Sequence, residues 1–196
     1  MKRIALFASG TGSNALKIIE YFQEHPQIQC EILLSNKAKA PALEMAAKHG
    51  LKTRVLNRTE FYQSDKIVAE LKDQSIDLLV LAGFLWLIPE NLIAAFPNQI
   101  INIHPALLPK YGGKGMYGMN VHRAVAENQE TESGITIHYV NAAYDEGAIL
   151  FQTSCTLSPA DTPEMIRSKV LRLEHQHFAP QIEKLLLMPQ KGPENQ

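Results

Sequence analysis

Asn102 and His104 stand two residues apart at the end of an apolar run, Ile100-Ile101-Asn102-Ile103-His104, which Pro105 and Pro109 close. Side chains at i and i+2 of a strand point the same way, and a proline after His104 keeps that residue extended. An amide donor and a titratable imidazole are therefore expected side by side at a strand end. Both can donate to the oxyanion that forms in acyl transfer. The same pair also reads as a strand end that is merely polar, and the residues alone leave both readings open.

Three further stretches carry chemistry-bearing residues. Ser9-Gly10-Thr11-Gly12-Ser13-Asn14 is a glycine-rich turn between a strand-like and a helix-like segment. Gly10, Gly12 and Ala15 meet the spacing of a dinucleotide fingerprint, yet the second strand ends Leu34-Ser35-Asn36-Lys37, with no carboxylate for a ribose hydroxyl. The N–H groups of Gly12, Ser13 and Asn14 at a helix start suit a phosphate monoester better; the bland alternative is a turn with Ser13 or Asn14 as helix cap. Tyr144-Asp145-Glu146-Gly147 is either an Asp-containing turn or the means of bringing Asp145 to His104, raising the pKa of the imidazole and sharing its proton. Thr136 and His138 alternate onto one strand face, as a polar wall or as half-exposed positions. Gly83 to Ile88, with the only tryptophan, either lines a pocket for a flat heterocycle or belongs to the core.

These residues need elements to position them. Strand-length apolar runs over 2–8, 28–34, 53–56, 78–82 and 100–104 alternate with helical spacing over 15–22, 41–49, 60–74 and 89–95. That alternation predicts right-handed crossovers and a mostly parallel, twisted sheet with helices on both faces. Beyond Pro109 come a flexible glycine-rich loop over 111–118, a helix over 121–127, strands over 134–140 and 148–156 that can pair antiparallel, and a long helix over 162–187, broken or bent at Pro180. The α/β reading is one domain over 1–187, with a polar, disordered tail over 188–196.

Composition narrows the function classes. A chain of 196 residues, 45% hydrophobic and 20% charged, can bury a full core without disulfides or metals. A formal net charge of -1 offers no field for nucleic acid. Cys30 and Cys155 form no C-x-x-C pair, which argues against zinc and a disulfide framework, and both read as core residues. No apolar run is long enough for a membrane span, and the first is too short for a signal-peptide core. The expectation is a cytoplasmic protein with small-molecule partners, no metal, no nucleic acid and no membrane.

Taken in order, G-x-G-S-N after the first strand, L-A-G-F after the fourth, N-I-H-P-x-L-L-P-K-Y and D-x-G resemble the folate-dependent formyltransferases across residues 1–187. The resemblance implies a Rossmann-like formyltransferase fold and 10-formyltetrahydrofolate as co-substrate. Length and motif order imply the amine of 5-phosphoribosylglycinamide as acceptor, in purine (IMP) biosynthesis. It implies direct attack through a tetrahedral intermediate, with Asn102 and protonated His104 on the oxyanion and Asp145 keeping His104 charged. Gly12, Ser13 and Asn14 match the turn that holds the acceptor's phosphate, and Glu174 a carboxylate that contacts the acceptor. Leu85, Trp86, Leu87 and Ile88 match the backbone that binds the pterin; Asn141, Ala142, Ala143, Tyr144 and Asp145 close over it, and Asn102 also reaches the folate. Arg58 matches an arginine near the folate's glutamate end. A monomer or homodimer is expected. Two departures stand out: Ala106 replaces a common serine, and the loop over 112–119 is longer and richer in glycine. Water as acceptor, giving a hydrolase, is the nearest alternative. Formylation of methionyl-tRNA and a non-catalytic nucleotide-binding module are further ones.

Overall fold

In the first strand, β1 (Lys2–Phe7), Ile4 and Leu6 enter one apolar layer and Ala5 and Phe7 the other, so the strand is buried on both faces. The same splitting recurs in β2 (Ile28–Ser35) and β4 (Leu78–Leu81), as expected of parallel strands covered from both sides. The structure, a computed structural model, describes residues 1–188; from 189 onward the expected tail lies outside the described residues. Between these strands run α1 (Ser13–Phe22), α2 (Pro41–Lys48), β3 (Lys52–Val55), α3 (Arg58–Gln63) and α4 (Lys66–Asp73). After β4 follow α5 (Glu90–Ala95), β5 (Ile100–His104), α6 (Met119–Glu127), β6 (Glu132–Tyr139), β7 (Ile149–Thr156) and α7 (Pro163–Leu187).

The seven strands form one sheet in the order β3-β2-β1-β4-β5-β6-β7. β1 to β5 are parallel, and β6 and β7 are antiparallel to their neighbours. α1, α2, α6 and α7 supply the layer on one face, and α3, α4 and α5 the layer on the other. On β5, Ile101 and Ile103 face the first layer and Ile100 the second, so Asn102 and His104 fall on the side of Ile100.

Several expectations need correction. The single helix expected over 60–74 is two, because Ser64 is extended (φ -149°, ψ 161°) and its hydroxyl donates to the Glu60 carbonyl at 2.8 Å. The Asn57 side chain accepts from the N–H groups of Thr59 and Glu60 and starts α3 earlier than the apolar spacing indicates. α7 runs as one helix through Pro180 instead of breaking there; Phe178, Ala179 and Ile182 are buried around the proline, and packing outweighs the lost N–H. Thr136 and His138 are both buried, so a half-exposed face does not explain them.

Candidate active site

The chain leaves β1 toward β2 on one side and returns to β4 on the other, so a crevice opens where the parallel strands end. A cleft of about 380 Å³ fills it. Ser9, buried just past β1, ties its rim together. The Ser9 hydroxyl donates to the Asn36 side-chain oxygen at 2.6 Å and accepts from the Leu85 N–H at 2.9 Å, while the Ser9 N–H donates to the Gly83 carbonyl at 3.0 Å. Leu85 to Ile88 are thereby fixed along one wall. Among the described residues, the N–H groups of Trp86, Leu87 and Ile88 have no hydrogen-bond acceptor. A flat heterocycle with polar edges would satisfy them.

The opposite end of the cleft is the start of α1. Gly12 takes φ +76°, and a Cβ there would lie 2.7 Å from the Ala42 Cβ, so glycine is needed both for the backbone and for the approach of α2. No side chain caps α1. Asn14 instead donates to Glu174 Oε2 at 2.7 Å, which overturns the reading of Ser13 or Asn14 as the cap. The first N–H groups of α1 are left for an external anion.

Between these ends lie the titratable groups. Antiparallel pairing sets Asn102 opposite His138 and His104 opposite Thr136. Thr136 works structurally, donating to the Ala106 carbonyl at 2.7 Å and accepting from the Leu108 N–H at 3.0 Å. After β6 the chain turns back, and Gly147 permits it: a Cβ there would sit 1.7 Å from the Tyr139 carbonyl oxygen. The turn carries Asp145, in the left-handed region at φ +58°, into the cleft. Its Oδ2 accepts from the Gly113 N–H at 2.9 Å and lies 3.5 Å from His104 Nδ1. Its Oδ1 lies 3.5 Å from both Asn102 Nδ2 and His138 Nε2. Asn102 Nδ2 is also 3.1 Å from His138 Nε2.

Carbonyl partners assign the ring protons. His104 Nε2 is 2.7 Å from the Tyr111 carbonyl oxygen, which only accepts, so Nε2 carries hydrogen and Nδ1 turns its other valence toward Asp145. His138 Nδ1 likewise donates to the Tyr139 carbonyl at 2.8 Å, leaving Nε2 to accept from Asn102.

Electrostatics correct one expectation directly. Burial pulls the His104 pKa down and outweighs the Asp145 charge and the Tyr111 carbonyl, which raise it. Asp145 brings no net increase, so His104 is neutral near pH 7. Burial raises the Asp145 carboxyl, but the neighbouring His138 and His104 rings and the Gly113 amide together hold it below its ordinary value. Glu174 is raised by burial, against the Asn14 bond and the Arg167 charge. His122, on α6, is pulled down to about 4 by burial and by its neighbours Arg167 and His104.

Most of the expected site converges. Ser13, Asn14, Leu85, Trp86, Leu87, Ile88, Asn102, His104, Ala143, Tyr144, Asp145 and Glu174 line the one cleft. Four do not. Gly12 is buried against α2, and Asn141 holds its own turn by accepting from the Ala143 N–H at 3.0 Å. Ala142 faces a neighbouring groove beside Tyr62 and Leu87. Arg58 lies outside, its guanidinium 5.5 Å and 5.7 Å from the Tyr62 and Trp86 ring centres, held there by cation–π attraction. The residues alone give no role to His122, Arg167, the Gly113 amide or the Tyr111 carbonyl, and they place His138 only in a polar wall. The strand register that brings it to Asn102 is the signal that was missing.

Among the described residues, no helix is long and apolar enough to cross a membrane, and no group of three or more His, Cys, Asp or Glu is arranged to hold a metal ion. Comparison with known proteins adds the following. The chain is 41% identical over 183 residues to the chloroplastic phosphoribosylglycinamide formyltransferase of Arabidopsis thaliana, covering 90% of this chain and 63% of that protein. It is 33% identical over 183 residues to the trifunctional purine biosynthetic protein adenosine-3 of Homo sapiens, covering 90% of this chain and 17% of that one. The chain thus spans less than two thirds of either relative. The crystal structure of phosphoribosylglycinamide formyltransferase from Bacillus halodurans superposes with a TM-score of 0.83 at 32% identity, covering 95% of this chain and 96% of that one. Residues 2–182 match the formyl transferase family, and the chain belongs to it.

Proposed function

We propose that this chain transfers the formyl group of 10-formyltetrahydrofolate to the amine of 5-phosphoribosylglycinamide, a step of purine (IMP) biosynthesis, with residues 1–187 as the working domain. The observation that carries the proposal is the meeting of Asn102, His104 and Asp145 in one cleft, between the open start of α1 and the free backbone donors of Trp86 to Ile88. The α1 end, with Ser13, Asn14 and Glu174, suits the phosphorylated acceptor. The wall from Leu85 to Ile88, with Ala143 to Asp145 opposite, suits the pterin. Arg58, beyond the cleft on the same aromatic wall, suits the folate's carboxylate tail.

The residues divide the work as follows. His104 is neutral at the outset and presents Nδ1 to the proton that the attacking amine releases. Asp145 stabilises the imidazolium as it forms, 3.5 Å away. The ring thus becomes cationic only as the formyl carbon becomes tetrahedral and its oxygen takes negative charge. That charge is favoured in the transition state more than in the ground state. Asn102 Nδ2, held by His138 and only loosely by Asp145, swings one N–H to the same oxygen. His104 then returns the proton to the departing folate nitrogen. No covalent nucleophile is required, and Cys30, its thiol pushed up to about 12 by burial, is unsuited to be one. Small molecules are the proposed partners, and two free cysteines fit a reducing compartment such as the cytoplasm.

An absorbance assay of folate deformylation, run with and without 5-phosphoribosylglycinamide, tests the proposal. Turnover only in the presence of the amine supports it. Equal formate release without the amine assigns a hydrolase, and no turnover in either cuvette overturns formyl transfer to this acceptor.

A further inference from the structure

Arg167 takes no part in the formyl-transfer steps proposed for Asn102, His104 and Asp145. It lies one turn into α7 and lines the cleft, with no carboxylate within ion-pairing distance among the described residues. The helix pairing indicates what it faces. Asn14 near the start of α1 bonds Glu174, and Tyr21 near its end bonds Glu183, so α1 and α7 run side by side in the same direction. Arg167 precedes Glu174 by seven residues, or about 10 Å of helix. The first turns of α7 therefore overhang the N-terminus of α1, in the space into which its unpaired N–H groups are directed. Arg167, Leu171 and Glu174 fall on one stripe of α7, and all three line the cleft.

A second observation on another element indicates that this end takes a polar ligand. His122 on α6 is 3% exposed, its ring lines the same cleft, and its Nδ1 is enclosed without any hydrogen-bond partner. The Asn14 side-chain oxygen is likewise buried and unpartnered. Buried polar atoms left unpaired are costly, and a ligand with hydroxyl groups would satisfy them. A phosphate dianion at the start of α1 would also lie near the Glu174 carboxyl, and the charge that offsets their repulsion must come from a neighbour. Arg167, which already acts on both Glu174 and His122, is that cation.

Building on the formyl-transfer reading, we propose that Arg167 is a specificity residue that closes over the acceptor's phosphate monoester, opposite the N–H groups of Ser13 and Asn14. Arginine suits the role because its planar fork can bond two phosphate oxygens at once.

Calorimetric titration of the full chain with ribose 5-phosphate tests this, beside steady-state kinetics with 5-phosphoribosylglycinamide. Arg167→Gln is expected to weaken ribose 5-phosphate binding about 10- to 100-fold and to raise the acceptor KM by a similar factor, with kcat little changed. Arg167→Lys recovers part of the loss. Arg172→Gln removes the same charge from the same helix outside the cleft and binds as wild type. Unchanged binding in Arg167→Gln, with formyl transfer intact, overturns this proposal and spares the proposed function. A fall in kcat with a displaced pH profile and unchanged KM also overturns it, because the arginine would then act through His122. Wild type that neither binds ribose 5-phosphate nor formylates the amine overturns both.

Discussion

At the scale of single residues, a neutral His104 changes what kinetics should show. A base with a depressed pKa stays competent in mild acid, so the acid limb of kcat/KM is expected below the ordinary imidazole value of 6.5. A limb at or above 6.5 would mean that the Asp145 charge outweighs burial. Asn102→Ala or His104→Ala is expected to lower kcat about 100- to 1000-fold with an unchanged circular-dichroism spectrum. Near-wild-type turnover in both removes them from the chemistry. The identities of these residues were readable from two features of the chain, an i, i+2 pair at a strand end and an acid before Gly147. Their protonation was not. The depth of the cleft decides it, and depth is set by elements remote in sequence: α6, the loop over 112–118 and the turn after β6.

At the scale of elements, the turn over 141–147 is where the site is most easily broken. A Cβ at residue 147 would lie 1.7 Å from the Tyr139 carbonyl oxygen, so Gly147→Ala must displace the turn and with it Asp145. The expected result is a large loss of kcat with most of the fold retained, checked by turnover alongside urea melts; full activity would show that the turn gives way without moving Asp145. On the other face, Asn57→Ala removes the cap of α3 and is expected to cost about 1 kcal/mol, measured by chemical denaturation. Strands and crossovers were legible because apolar periodicity reports burial on one or two faces. The division of the helix expected over 60–74 was not, since it turns on the Asn57 cap and on Ser64 satisfying a carbonyl. At Pro180, local propensity argued for a break that tertiary packing overrode. The reach of Arg167 was equally invisible, because it depends on α1 and α7 running parallel.

At the scale of the whole molecule, buried histidines link stability to pH. The folded pKa of His122 is about 4 against 6.5 when unfolded, so protonation favours the unfolded chain. Its contribution is fully present above pH 6.5 and is lost as pH falls toward 4, with His104 acting in the same direction. From His122 alone, stability should drop by about 2 kcal/mol between pH 7 and pH 5. Urea melts at the two pH values measure this, and His122→Gln should remove most of the difference. An unchanged slope in that variant would mean that folding leaves the pKa of the ring unshifted.

The Ser9 hydroxyl has a consequence for anyone redesigning the protein. It joins the end of β1, where the glycine turn begins, to the Leu85 N–H at 2.9 Å and to the Asn36 side chain at 2.6 Å. The two mouths of the cleft therefore share a frame instead of meeting at a flexible joint. Widening one of them to admit a bulkier analogue would misalign the other, and altered selectivity would have to be built at both ends together.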